Sequence, residues 1–458
     1  MSDQPPAADG APASASPGAG AGSGAPDATA STSSPADQAS ASDQGGQRGR
    51  LTGNVIIQAI IEGSPVVITL LAIFMALVIN ALLIVFSDPN VLHAWSQFFS
   101  APGTALSATW TSISTAYSAL FEGAIFSPAT ISAAFHGGSI AAIFYPLSLT
   151  AFEATPLILT GLSVAIAFRA GLFNIGAAGQ FVGGAIVAAW LGFGVHLPVG
   201  IHIVVCVIGG FAGGAVLGWI VGELKARTGA HEVIVTIMLN YVMYNLLDYL
   251  LSTPKALQQP KQSNLVAPNI AANASFPHVG GPPPQANIGF LIALAAAVGV
   301  AWLLSRSTIG FQFRTVGANP RAARSAGISV ERNWALVMLI AGGLAGLAAA
   351  TVVAGGSPPP PLTTNTYGTY GFDGITVALL GRARPLGVVL AGLLFGALQA
   401  GGTVMQAATV PQVPVDIIEV IQALIVLFVA APPLIRAVFR LRAARGGGME
   451  AVAKGWNG

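Results

Sequence analysis

From Pro146 to Gly194 the chain has 49 residues. They hold two apolar runs separated by Phe-Arg-Ala-Gly-Leu-Phe-Asn-Ile-Gly-Ala-Ala-Gly-Gln, residues 168–180. A helix that crosses a bilayer needs about 20 apolar residues. Two crossings leave room for only a short turn, so part of this polar, Gly-rich segment must sit at or below the membrane surface. Lipid satisfies no backbone N–H or C=O group, so broken backbone at that depth is confined to protein interior or the wall of a wet cavity. In transporters such interruptions often carry the substrate site.

Only 8% of the residues are charged and 53% are hydrophobic, whereas a soluble domain carries about 25% charged residues. The expected fold is all-α: a polytopic integral membrane helical bundle of about ten membrane segments, with broken or re-entrant helices. The segments are Pro65–Ser87, 146–168, 176–194, 198–221, 233–251, 288–304, 334–354, Tyr370–Leu380, 385–402 and 413–431. Tyr370–Leu380 is too short to cross alone and reads as a half-helix or as part of a longer segment. Residues 51–63 read as a short amphipathic surface segment.

Three regions follow. Residues 1–50 are Ala/Ser/Gly/Pro/Asp-rich and have almost nothing to bury, so they read as a disordered cytoplasmic tail. They lack the basic and apolar regions of a signal peptide. Residues 51–435 form the membrane domain, and 436–458 a basic cytoplasmic tail with Arg436, Arg440, Arg442 and Arg445. With the amino terminus inside, Lys255 and Lys261 fall on an outer loop and the other seventeen of the 19 basic residues fall at the cytoplasmic side, as the positive-inside rule requires. Residues 88–138 are expected to form short helices lying on the outer face, and 252–286 an exposed loop. Cys206 is the sole cysteine, which excludes an internal disulfide and leaves metal binding without support. The net charge of +2 gives no reason to expect a nucleic-acid partner.

Polar residues in apolar surroundings are the candidate functional groups. Asn174 and Gln180 offer amide donors and acceptors without the cost of a buried charge, which suits a neutral, hydrogen-bonding solute. The segment also fits a plain cytoplasmic turn in which Asn174 caps the next helix. Asn240 lies mid-span, where it serves either a pathway or a helix-to-helix hydrogen bond. Intramembrane acids are costly and count as functional candidates: Glu153 and Asp373 are the most interior, while Glu232, Asp248, Asp416 and Glu419 lie nearer segment ends. Glycines four apart, at 209/213, 214/218, 342/346 and 392/396, allow close helix approach within one chain or between chains.

Between the sixth and seventh segments, Asn319 is a good N-cap, Pro320 suits the first helical position, and Gly327 can close the helix. A helix of about two turns is too short to persist alone. It packs either on a soluble partner or on its own bundle. No lysine follows a glycine, so no Gly-Lys-Ser/Thr phosphate loop exists. If ATP powers this chain, the ATPase is a separate protein.

Residues 154–180, 232–241, 308–328 and 371–387 together resemble the permease subunits of bacterial ABC importers for nucleosides. These subunits belong to the wider family that also imports simple sugars and branched-chain amino acids. The likeness spans roughly residues 65–435, and Ala178 departs from it, standing where many relatives carry an acid. The resemblance implies a transport subunit without its own ATPase site and without a cofactor, with ATP and Mg bound by a partner ABC ATPase subunit. It implies a second homologous permease and an extracellular substrate-binding lipoprotein as further partners. It implies residence in the bacterial plasma membrane among lipid, with both termini cytoplasmic, and a small-molecule solute. The implied coupling helix comprises Asn319, Pro320, Arg321, Ala322, Ala323, Arg324, Ala326 and Gly327. The implied substrate pathway comprises Asn174, Gln180, Asn240 and Asp373, with Glu153 and Glu232. Nucleoside uptake by alternating access is the leading expectation. A simple-sugar permease, an ion-coupled transporter using Glu153 or Asp373, and a non-transporting membrane scaffold are the alternatives.

Overall fold

A computed structural model describes residues 65–440 apart from 138, 255, 260–264, 278–285, 357–358, 366–367, 411 and 415. The described residues belong to the compact unit Ala59–Gly458. The expected tail 1–50, the surface segment 51–63, and Arg442 and Arg445 of the expected basic tail lie outside the described residues.

Among the described residues the regular elements are helices, accompanied by two isolated β-bridges, Pro254–Gln258 and Val266–Thr363. In chain order they are α1 (Pro65–Ser87), α2 (Pro89–Ser96), α3 (Pro102–Ala124), α4 (Pro128–Phe135), α5 (Tyr145–Arg169), α6 (Ala177–Gly194), α7 (Ile201–Thr228) and α8 (Glu232–Ser252). Then follow α9 (Ile288–Arg306), α10 (Thr308–Ala318), α11 (Pro320–Ser325), α12 (Val330–Gly355), α13 (Tyr370–Leu380), α14 (Pro385–Ala408), α15 (Asp416–Ala430) and α16 (Pro432–Val438). Eight of these helices are long and apolar enough to cross a bilayer, or up to ten crossings if each of two bent pairs counts as one. The pairs are α3 with α4, bent by 58°, and α15 with α16, bent by 91°. The all-α polytopic bundle with broken helices is therefore what the chain forms.

The most buried spans are α5 and α12. Helix α12 packs on α5, α6 and α7, and α5 packs on α13 and α14. Hydrocarbon gives no hydrophobic drive for one helix to meet another, so close van der Waals contact must hold them. Glycine supplies it. A Cβ added to Gly214 would lie 2.7 Å from the backbone nitrogen of Gly346, and one added to Gly210 would lie 3.0 Å from the Gly346 carbonyl oxygen. On the other side of α7, Gly213 meets the Gly183 carbonyl oxygen of α6 at 2.6 Å by the same measure. Gly392 and Gly396 of α14 lie against Ile158 and Ala154 of α5. The four glycine pairs named from the sequence all serve packing inside this chain.

Two connectors differ from the sequence expectation. Residues 88–138 contain the 23-residue helix α3, which packs against α14 and also touches α1 and α5. Tyr117 donates to the Leu77 carbonyl of α1 at 2.5 Å, and Thr150 of α5 donates to the Ala124 carbonyl at 2.6 Å. Small residues on one face, Ala105, Ala116, Ala119 and Gly123, let α3 dock rather than lie loose. The expected exposed loop at 252–286 is anchored in its described parts. Ala271 donates to Gly192, Phe276 to Ala354 and Ala267 to Leu362 through the backbone. Leu257, Ala267, Ala274 and Phe276 are buried. A Pro/Asn/Gln-rich composition concealed these few apolar anchors.

Candidate functional site

Helix α5 ends at Arg169, and the chain turns through Gly171 at φ +72°. Leu172 N–H donates to Ala167 O at 3.0 Å and Gly171 N–H to Phe168 O at 3.2 Å, the paired bonds of a left-handed helix cap that glycine adopts at no steric cost. The chain then re-enters α6 at Ala177. The interruption between α5 and α6 is thus real and short, and Asn174 and Gln180 are fully buried.

Asn174 Nδ2 donates to Gln180 Oε1 at 2.8 Å and to Ser163 Oγ at 3.2 Å. Its Oδ1 accepts from Gly176 N at 3.1 Å and from Gln180 Nε2 at 3.2 Å. An amide side chain has two donors and two acceptor lone pairs, so these four contacts saturate Asn174. Asn240, on α8, accepts from Gly179 N at 2.8 Å and donates to Ile175 O at 3.1 Å. Three sequence-selected residues are therefore brought together. In this conformation their main work is to satisfy the backbone of the broken helix.

Glu153 and Asp373 form a second group. Helix α13 begins beside α6: a Cβ on Gly371 would lie 2.5 Å from the Ala178 side chain. Tyr370 stacks on Phe181 with ring centroids 5.8 Å apart and donates to Glu153 Oε2 at 3.3 Å. Asp373 Oδ2 accepts from Thr369 Oγ1 at 2.6 Å and from Gln399 Nε2 of α14 at 3.4 Å. Unlike the amide pair, these carboxylates keep free lone pairs and partial exposure. Tyr370, Gln399 and Phe181 were not selected from the sequence. Gln399, a polar residue inside an apolar run, carried a readable signal. Tyr370 and Phe181 did not.

Glu232 stands apart from both groups. It begins α8 and is paired with Lys225 of α7 at 2.5 Å, and the Lys225 ammonium lies 4.9 Å from the Trp334 ring centroid. Its contacts tie together the ends of α7, α8 and α12.

At the same end of the bundle, Asn319 Oδ1 accepts from Arg321 N at 3.0 Å and Ala322 N at 3.1 Å, and Pro320 occupies the first turn of α11. Gly327 at φ +78° lies just beyond the helix. The helix has six residues rather than a full two turns. Ala323 alone is buried, in a small cluster with Val316 and Val330. Arg321, Ala322, Arg324, Ser325 and Ala326 are exposed, and Arg324 pairs with Glu331 at 2.5 Å.

These features define a multi-pass membrane protein of the permease class: broken helices in a glycine-packed bundle, with a capped short helix on one end. Residues 146–430 match the family model described as the permease component of the branched-chain amino acid transport system. The chain belongs to that family. It is 38% identical over 313 residues to a guanosine ABC transporter permease protein of Bacillus subtilis strain 168, covering 68% of this chain and 88% of the relative. It is 37% identical over 295 residues to a nucleoside ABC transporter permease protein of Lactococcus lactis subsp. cremoris, covering 62% and 78%. It is 33% identical over 285 residues to a glucose ABC transporter permease protein of Haloferax volcanii, covering 60% and 73%. No solved structure matches the chain.

Proposed function

We propose that this chain is a permease subunit of an ATP-driven importer that carries nucleosides inward. The observation that carries this reading is the pair of nucleoside-permease relatives at 38% and 37% identity, aligned over most of their own lengths. The nearly bare helix α11 supports it, since a six-residue helix with one buried side chain presents most of its surface to a partner. The partner would be a cytoplasmic ATPase that binds ATP and Mg, because this sequence has no phosphate loop of its own. A second, homologous permease would complete the pathway. Two guanosine permease proteins of one Bacillus strain both align with this chain, at 38% and 26% identity. An extracellular binding lipoprotein would deliver solute. Arg321 and Arg324 lie in α11, Arg314 in the helix before it and Arg382 and Arg384 in the α13–α14 turn, and Arg169 joins these elements through Ala383 and Gly317. By the positive-inside rule that end faces the cytoplasm of a bacterial plasma membrane.

Within this reading, Asn174, Gln180 and Asn240 hold the broken backbone in shape at the pathway wall. Glu153, Asp373, Gln399 and Tyr370 offer the groups that meet solute. Carboxylate lone pairs accept from the ribose hydroxyls and amino groups of a nucleoside. Alternating access follows when ATP-driven closure of the ATPase displaces α11. The test is uptake of labelled guanosine in cells with and without this chain. Loss of uptake on deletion and its return on complementation are expected. Equal uptake in both strains rejects the nucleoside reading, and glucose uptake in its place selects the sugar alternative.

A further inference from the structure

We infer that the backbone contact between Gly317 and Gly171 is the joint through which movement of the docking helix reaches the broken-helix core. This rests on the importer reading above. Gly317 lies in the last turn of α10, two residues before the Asn319 cap of α11. A Cβ placed on Gly317 would land on the Arg169 carbonyl oxygen, 2.8 Å from Ala170 C and 2.9 Å from Gly171 N. From the other side, a Cβ on Gly171 would lie 3.1 Å from Gly317 Cα. Two main chains therefore touch with no side chain between them.

A contact of this kind transmits displacement because nothing in it can rotate away. Packed cores respond to small shifts by switching between arrangements rather than by deforming smoothly. Val316, next to Gly317, shares the small cluster that seats Ala323 of α11. The seat of the docking helix and the joint are thus adjacent in sequence and move together.

Beyond the joint two routes lead inward. Gly171 is the helix cap after α5; the four bonds of Asn174 brace residues 174–180 internally and to Ser163 of α5, and the Asn240 bridge ties them to α8. The second route is Arg169, whose Nε donates to the Ala383 carbonyl at 2.9 Å. Ala383 and Arg382 hold φ of +48° and +53° in the turn between α13 and α14. Such angles are strained for residues with a Cβ, and strained backbone concentrates at functional and switching segments. At its other end, α13 carries Tyr370 and Asp373 of the carboxylate group. One push at Gly317 therefore reaches both polar groups of the core.

The test uses the chain assembled with its partner subunits in proteoliposomes, with labelled guanosine as probe. Gly317→Ala is expected to leave assembly and ATP hydrolysis near those of the unsubstituted complex while guanosine moved per ATP falls about tenfold, within the range of coupling free energies between sites. Gly299→Ala is the control, because no atom beyond its own stretch of helix lies within 4 Å of a Cβ there. Wild-type transport per ATP by an assembled Gly317→Ala complex overturns the inference. If that variant does not assemble, Gly171→Ala decides, because its Cβ meets Gly317 Cα at 3.1 Å and crowds the same contact from the other side with less overlap: transport per ATP falls about fivefold if the contact is the joint, and unchanged transport per ATP rejects it. Purification of the unsubstituted chain without any ATPase is a separate result, which rejects the importer reading itself.

Discussion

The side-chain amides of Asn174 and Gln180 face each other and exchange two hydrogen bonds, at 2.8 and 3.2 Å. Neither residue reaches solvent. The pair closes the polar segment on itself six residues apart, so the break between α5 and α6 satisfies its own groups where lipid cannot. Neither partner can be changed without leaving the other's donor and acceptor exposed to an apolar interior.

Asn174→Ala removes four bonds and leaves Ser163, Gln180 and Gly176 short of partners. An unsatisfied buried polar group costs about 1–3 kcal/mol, so the purified protein is expected to melt at lower temperature in detergent. Asn174→Asp tests the directionality. It places an acceptor against Gln180 Oε1, and turning the Gln180 amide only moves the conflict to the other oxygen. The aspartate variant is expected to be no more stable than the alanine variant. A wild-type melting temperature for Asn174→Ala rejects the locking role.

The glycine contacts make a sharper stability prediction. A methyl group at Gly214 meets the Gly346 backbone, which cannot rotate aside, and overpacking of this kind costs about 1–3 kcal/mol. At Gly299 the same substitution meets nothing, and exchange of glycine for alanine in a helix is favourable by up to about 1 kcal/mol. Gly214→Ala is expected to lower the melting temperature and Gly299→Ala to hold or raise it. Equal melting of the two variants counts against close α7–α12 contact.

What the sequence could reveal depended on the range of the interaction. The span of apolar residues in α1 and the full extent of α13, Tyr370–Leu380, follow from local composition and were readable to the residue. So was the cap of α11, because Asn319 and its donors are neighbours in sequence. The anchoring of residues 252–286 rests on partners far along the chain, such as Phe276 with Ala354, and no local pattern reports those. The same holds for the carboxylate group: Glu153 and Asp373 were visible as misplaced acids, but Tyr370 joins them only through a contact 217 residues away. Helix α3 was missed because Ser, Thr and Gly dilute its apolar run, while its small residues were what let it dock.

Tyr370→Phe separates the two groups of the core. The ring still stacks on Phe181, so packing is kept. The hydroxyl donor to Glu153 is lost. Intramembrane hydrogen bonds of this type average about 0.6 kcal/mol, so stability is expected to change little. If Glu153 meets solute, its orientation matters for affinity, and guanosine uptake is expected to show a raised KM with a smaller change in maximal rate. Unchanged uptake kinetics removes Tyr370 from the pathway.

Asn319→Ala addresses the proposed docking role of α11 without touching the core. The lost cap leaves the N–H groups of Arg321 and Ala322 to water, at a cost of about 0.5–2 kcal/mol. That is large for a helix of six residues seated by Ala323 alone. The bundle should keep its melting temperature, because Asn319 and the residues it caps are exposed. Retention of the ATPase on copurification is expected to weaken, and uptake to fall with it. Asn319→Asp or Asn319→Ser, which retain a capping oxygen, are expected to restore both. Failure of the capping residues to rescue, with the alanine variant still defective, would mean that the amide itself contacts the partner rather than ordering the helix.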